Sequence, residues 1–294
     1  MNPRVPKALV VCLDGVRPDV LQSSRTPALD RLTEAGFLRT SLIYAPPVAE
    51  TSTGPGVATM VTGVWPGKHN VTANVFHGHR LGQYPDFLTR IGSVRPALAT
   101  LVAVHWAPLG RAVDGGPVFT EGITHRIVSE VPDGYGHYRL ADEQLAASVS
   151  QVLAAGAVDA AFVYFAVGDW AGHEFGGTSA IYREAVESYD GYLGALLAAI
   201  ARRPSYPAED WLVLVTTDHG HLDEGGHGGA SAVERTVFVA GGRLGQSLPV
   251  TGQVTLVDIV PTVLAHLGVP ADPAWALDGT VPTGPDAGAR ASEP

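Results

Sequence analysis

Ala8-Leu-Val-Val-Cys-Leu-Asp-Gly15 is the stretch on which the fold turns. Its apolar, valine-rich run over residues 8–13, closed by an Asp-Gly turn signal, reads as a short buried strand. Four runs of the same character follow, at 98–104, 160–167, 211–216 and 236–240. Helical patterns lie between them. Residues 26–35 place Leu29, Leu32 and Ala35 on one face. Residues 55–62 open with proline and stop at Gly63. Residues 140–153 and 181–201 are longer, the second spacing Val186, Tyr189, Leu193 and Leu196 along one side, and 257–267 ends at Gly268. Strands alternating with helices predict an α/β protein: a layered α/β/α fold with a largely parallel central sheet. Residues 106–138, rich in glycine and proline, are expected to form a loop region or small cap over the sheet edge. One domain is expected over 1–282, with a flexible tail at 283–294.

Bulk properties narrow the function. The formal net charge of -10 opposes binding to a nucleic-acid polymer and suits a protein that holds cations. A single cysteine, Cys12, rules out an intramolecular disulfide. The start of the sequence lacks a signal-peptide pattern, and no run approaches the roughly 20 apolar residues of a membrane span. A cytoplasmic protein without membrane contact is expected.

Acidic and histidine residues fall just after the strand-like runs: Asp14 after the first, Asp169 and His173 after the third, Asp218 and His219 after the fourth, and His227 in a following Gly-Gly-His-Gly-Gly. Ligands of open α/β sheets bind outside the carboxyl ends of the strands. Singly, each residue also reads as an ordinary turn or loop residue. Together on one edge, carboxylates and imidazoles suit zinc, manganese or a similar divalent ion. A second element, Glu50-Thr-Ser-Thr-Gly-Pro-Gly56, places hydroxyls at a helix start, beside unpaired amides that form an anion site. The plainer alternative is that Ser52 or Thr53 caps the helix.

In this order, Leu13-Asp14-Gly15, Thr53-Gly-Pro-Gly with Met60-Val-Thr-Gly63, Asp169-Trp-Ala-Gly-His173, Asp218-His219-Gly220, His227-Gly228 and Asp258-Ile-Val-Pro-Thr-Val-Leu264 resemble the alkaline phosphatase superfamily, in particular its nucleotide pyrophosphatase/phosphodiesterase branch. The resemblance implies two divalent cations, zinc or alternatively manganese. Asp14, Asp218, His219 and the Thr53 hydroxyl would hold one; Asp169, His173 and His227 would hold the other. It implies a hydrolase that cleaves phosphate esters, diesters or nucleotide pyrophosphates first, through a phosphothreonine on Thr53. The branch places a threonine ten residues before the glycine of a Thr-Gly pair, a spacing that Thr53 and Gly63 keep. Asp258 is implied to be structural.

Gly54 and Gly56 stand where the branch has an aromatic residue and an asparagine. The Gly54 amide and Asn74 are therefore the candidate substrate donors. Alternatives are a phosphomonoesterase or phosphonate hydrolase of the same superfamily, a phosphomutase, and a non-catalytic metal-stabilised binding protein. The expected partner is a small phosphate ester or nucleotide. His105 and His221 are open between substrate contact, a supporting role and ordinary loop histidines.

Overall fold

The computed structural model describes residues 3–120 and 122–284. Among these, seven strands form one sheet: β1 (Val5–Leu13), β2 (Phe37–Leu42), β3 (Thr100–Val104), β4 (His125–Val128), β5 (Ala160–Phe165), β6 (Glu209–Thr216) and β7 (Thr236–Arg243). The helices are α1 (Pro18–Ser23), α2 (Pro27–Glu34), α3 (Thr53–Thr62), α4 (Pro66–His69), α5 (Phe87–Val94), α6 (Ala107–Gly110), α7 (Tyr135–Ala154), α8 (Val167–Phe175), α9 (Ala180–Ala201), α10 (Ala232–Arg235) and α11 (Ile259–His266). The sheet order is β2-β7-β6-β1-β5-β3-β4. β7 runs antiparallel to both its neighbours, and the other pairs are parallel.

The opening stretch is the central strand, and its alternation shows the layering. Ala8, Val10 and Cys12 pack with Val57 and Met60 of α3, Leu88 of α5 and Val263 of α11. Leu9, Val11 and Leu13 face the other way, onto Leu29 of α2, Val149 of α7 and Val186 and Leu193 of α9. Leu9 is fully buried, and burial of such a side chain contributes about 1.5–3 kcal/mol. Helices on both faces complete the three layers.

The five expected strands are present as β1, β3, β5, β6 and β7. Two edge strands were not expected. In β2, Phe-Leu-Arg-Thr-Ser-Leu alternates between inside and outside, which dilutes its apolar signal. β4 is four residues long and pairs with β3. The stretch 106–138 is therefore more than a cap, since it supplies α6, β4 and the start of α7. α8 was also unexpected, because Gly168 and Gly172 lower helix propensity by about 1 kcal/mol each. Both glycines are dictated by packing. A Cβ on Gly168 would come within 2.6 Å of the Tyr189 ring, and one on Gly172 within 2.8 Å of His221. The tail expected from 283 onward lies outside the described residues from 285. No helix among the described residues is long and apolar enough to cross a membrane.

Candidate active site

Three adjacent strands, β6, β1 and β5, deliver the chemistry to one edge. Asp14 follows β1, Asp218 and His219 follow β6, and α8 begins just after β5, carrying Asp169 in its first turn and His173 in its last. α3 brings Thr53 as its first residue. Ser52, at the cap position, makes no capping bond, and its buried hydroxyl has no partner. Simple capping therefore does not explain these hydroxyls. Gly56 allows the approach: a Cβ there would meet the Asp218 backbone oxygen at 2.7 Å.

The predicted residues converge. Thr53 Oγ1 lies 3.4 Å from Asp14 Oδ2 and 3.4 Å from His219 Nε2. His219 Nε2 is 3.2 Å from Asp14 Oδ1 and 3.8 Å from Asp218 Oδ2. Beside this group, His173 Nε2 is 3.1 Å from His227 Nε2 and 3.5 Å from Asp169 Oδ2, and His227 Nε2 is 3.4 Å from Asp169 Oδ1. The His219 and His227 rings stack at 3.9 Å between centroids and join the two groups. Donor atoms of Asp14, Asp218 and His219 lie within 4.8 Å of one another, as do those of Asp169, His219, His221 and His227.

Both clusters can hold a metal. Bond lengths of 2.0–2.2 Å to a tetrahedral ion place donor atoms about 3.3 Å apart, and the separations above cluster around that value. His219 Nδ1 is 3.0 Å from the Gly220 carbonyl, and His227 Nδ1 is 3.0 Å from the Thr51 carbonyl. Each Nδ1–H donates to a carbonyl, so the neutral form of each imidazole turns its Nε2 lone pair to the centre. Asp14 Oδ1 and Asp218 Oδ2 are buried with no hydrogen-bond partner, a costly state without a cation.

The electrostatics point the same way. Burial, then the negative charges of Asp218 and Asp169, drive the Asp14 carboxyl well above the usual range. Burial opposes protonation of His219, but Asp218, Asp14 and Asp169 outweigh it and raise its pKa to about 10. Burial and then the charge of His219 push His227 down to about 2. Burial also works against the charge of Asp169, yet the His221 bond and the surrounding imidazoles hold its carboxyl well below the usual range.

A cavity of about 380 Å³ opens over this edge, lined by Asp14, Thr53, Asp169, His173 and His227, and also by Asn74, Trp106, Asp133, Tyr138, Tyr164 and Trp170. Gly54 and Asn74 meet in an unexpected way: the Gly54 N–H donates to Asn74 Oδ1 at 2.7 Å. That amide is already engaged, so the donor left to the pair is the Asn74 amide nitrogen. His105 lines a different cavity. Its Nδ1 is 2.9 Å from Ser129 Oγ and its Nε2 is 2.9 Å from Asp142 Oδ1. Asp258 accepts from the Thr255 and Thr280 amides, as a structural residue should.

Four supporting groups escaped the sequence reading. The Tyr164 hydroxyl donates to Asp14 Oδ2. A tyrosine in an otherwise apolar strand was the available signal, since a buried hydroxyl needs a partner. Asp142 accepts from the Ala166 and Val167 amides at 3.0 and 2.8 Å, anchoring the start of α8. Thr51 accepts from Gly228 and donates to Gly229, fixing the His227 loop. Glu234 accepts from the Gly229 amide in the same loop. Glu234 belongs to a readable capping box, Ser231-Ala-Val-Glu234, whereas Asp142 and Thr51 depend on tertiary contacts that leave no local pattern.

Fold and cluster together are those of an alkaline phosphatase-like hydrolase domain. Residues 8–230 match the family model described as type I phosphodiesterase / nucleotide pyrophosphatase. The chain belongs to that family. It is similar to the human ectonucleotide pyrophosphatase/phosphodiesterase family member 7, with 26% identity over 222 residues, covering 73% of this chain and 47% of that protein. The chain spans about half the length of the curated relatives it matches there and in the rat. Among solved structures, murine ectonucleotide pyrophosphatase/phosphodiesterase 5 shares the fold with a TM-score of 0.65 at 17% identity, covering 91% of this chain and 96% of that one. An inactive form of that protein has been solved in complex with AMP. The phosphonate monoester hydrolase of Agrobacterium radiobacter shares the fold at a TM-score of 0.61 and 16% identity, over 90% of this chain and 74% of that one.

Proposed function

We propose that this chain is a metal-dependent phosphodiesterase in which Thr53 is the nucleophile. The observation that carries the reading is the position of Thr53 Oγ1, at the first residue of α3 and 3.4 Å from both Asp14 Oδ2 and His219 Nε2. Asp14, Asp218, His219 and Thr53 would hold one divalent cation, and Asp169, His173 and His227 the other, with zinc suiting the donor set and manganese the alternative. Such a pair supplies Lewis-acid charge that lowers the pKa of a hydroxyl and neutralises the oxygens of an in-line displacement.

The chain's own residues perform the rest. Thr53 Oγ1 forms a bond to phosphorus as the bond to the leaving oxygen breaks. The hydroxyl proton departs toward the carboxylate oxygen that faces it, Asp14 Oδ2, while Asp14 Oδ1 is left to face the cation. The Thr53 amide, at the start of α3, and the Asn74 amide nitrogen steady a non-bridging oxygen. Water then attacks the phosphothreonine, the Oγ1–P bond breaks, and the threonine recovers its proton. Tyr164, by donating to Asp14 Oδ2, holds that carboxylate in place.

The pocket lining favours a diester over a dianionic monoester. Among the described residues it presents four aromatic rings, those of Trp106, Tyr138, Tyr164 and Trp170, together with Asp133, and no lysine or arginine. A second phosphate charge would find no basic side chain there. An AMP-like or other phosphodiester leaving group can rest on the Tyr138–Trp170 pair, stacked at 5.1 Å. Bis- and mono-nitrophenyl phosphate, assayed with zinc, manganese or chelator, test the reading. Metal-dependent turnover of the diester in excess of the monoester is expected. Turnover that survives the chelator, or a preference for the monoester, refutes it.

A further inference from the structure

His221 lies two residues beyond His219 and is fully buried. Its niche is shaped for an imidazole. A Cβ added to Gly15 would come within 2.9 Å of the ring, and one on Gly172 within 2.8 Å. Gly15, at φ 68°, sits in the left-handed region that favours glycine. The ring meets His173 and His227 edge-on, at 5.1 and 5.2 Å between centroids. Arg17 Nη1 donates to the His221 carbonyl at 3.2 Å and fixes the backbone.

One polar contact leaves this ring: Nε2 lies 2.8 Å from Asp169 Oδ1. The acceptor is a carboxylate, so Nε2 carries the proton. Nδ1 is buried and has no partner. Distances separate this contact from those between the donor atoms of the centre. Asp169 Oδ1 lies 3.4 Å from His227 Nε2, Asp169 Oδ2 lies 3.5 Å from His173 Nε2, and the two imidazole nitrogens are 3.1 Å apart, spacings that suit donor atoms facing one ion. The His221–Asp169 contact is a hydrogen bond in length.

We infer that His221 is a positioning residue: its Nε2–H holds the Asp169 carboxylate in the rotation that presents it to a cation shared with His173 and His227, and it does not itself bind that cation. The other imidazole nitrogens beside Asp169, His173 Nε2 and His227 Nε2, stand at 3.5 and 3.4 Å, beyond ordinary hydrogen-bond length. Without the His221 hydrogen bond, its carboxylate is free to turn. Partners of this kind typically set 10–100-fold of metal affinity. The inference rests on the two-cation reading above.

The test compares the full chain with His221→Leu, which removes the donor, and His221→Gln, which retains an N–H near the same place. Zinc affinity is measured for both equivalents by competition with a chromophoric chelator, and the cobalt-substituted proteins are compared by visible absorption. His221→Leu should weaken one equivalent by about 10–100-fold and leave the other near wild type. His221→Gln should restore most of the loss, and the cobalt spectrum should keep its tetrahedral intensity in both variants. A leucine variant that binds both ions as wild type does overturns the proposal. So does a cobalt spectrum that reports a lost nitrogen ligand, or an equal loss at both sites. Should the leucine variant not fold, the glutamine variant decides: near-wild-type affinity supports the proposal and a loss beyond about 100-fold overturns it. A wild-type chain that binds no metal sinks the two-cation reading as well.

Discussion

Replacing Asp142 with alanine should destabilise the protein and loosen half of the proposed metal centre without touching a ligand. The Asp142 carboxylate is fully buried and accepts from the Ala166 and Val167 amides. Those amides open α8, the helix that carries Asp169 and His173. Alanine leaves two buried N–H groups unpaired, at about 1–3 kcal/mol each, for a loss of about 2–6 kcal/mol before the parted His105 contact is added. The opposing effect is relief of a buried charge, since burial pushes the Asp142 carboxyl above its usual range. Asparagine separates the two effects: it removes the charge but keeps one acceptor, so its loss should be about half that of alanine, roughly 1–3 kcal/mol. Equilibrium unfolding in urea of both metal-free variants gives the comparison. Against a total stability of about 5–15 kcal/mol, the alanine effect is large. A loss below about 1 kcal/mol for alanine, or a larger loss for asparagine than for alanine, refutes the view that this carboxylate anchors the helix.

Further outcomes follow from the same structure. Thr53→Ala should reduce diester turnover by at least about 10³-fold, in line with the loss of a covalent nucleophile, while both metals remain bound; turnover and metal analysis of one preparation decide this. Asp169→Asn should cut the metal content from two equivalents toward one, read by elemental analysis after dialysis. His69 gives a pH signature remote from the metals. Burial pushes its pKa down to about 3, with Nδ1 accepting from the Val71 amide. The folded state therefore binds its proton less readily than the unfolded chain, with its pKa of about 6.5. Its contribution is complete above that value and is lost as pH falls toward about 3, at about 1.4 kcal/mol per pH unit. His69→Gln should flatten the stability profile over that window, and an unchanged slope counts against the burial argument.

The sequence carried the centre of the fold better than its margins. β5, β6 and residues 7–13 of β1 are fully buried runs whose apolar residues need no partner to be recognised, whereas β2 interleaves Arg39 and Ser41 with its apolar residues, and β4 is only four residues long. α8 escaped because Gly168 and Gly172, poor helix formers, answer to Tyr189 and His221, residues distant in sequence. The convergence of Asp14, Thr53, Asp169, His173, Asp218, His219 and His227 was readable because each follows a recognisable strand or opens a recognisable helix. The engagement of Gly54 with Asn74, and the supports from Tyr164, Thr51 and Asp142, were not. They depend on pairings across 20 to 178 positions, which no local pattern records.

The place of β1 in the sheet also bears on synthesis. Its two neighbours are parallel strands that begin at Ala160 and Glu209. A ribosome must therefore extrude well over a hundred further residues before this oily segment gains its first companion, and some fifty more before the second arrives. Until then Leu9 and Val11 have no sheet to join, which makes this nascent segment a natural client for chaperones and leaves the fold slower to mature than a helical one of equal size.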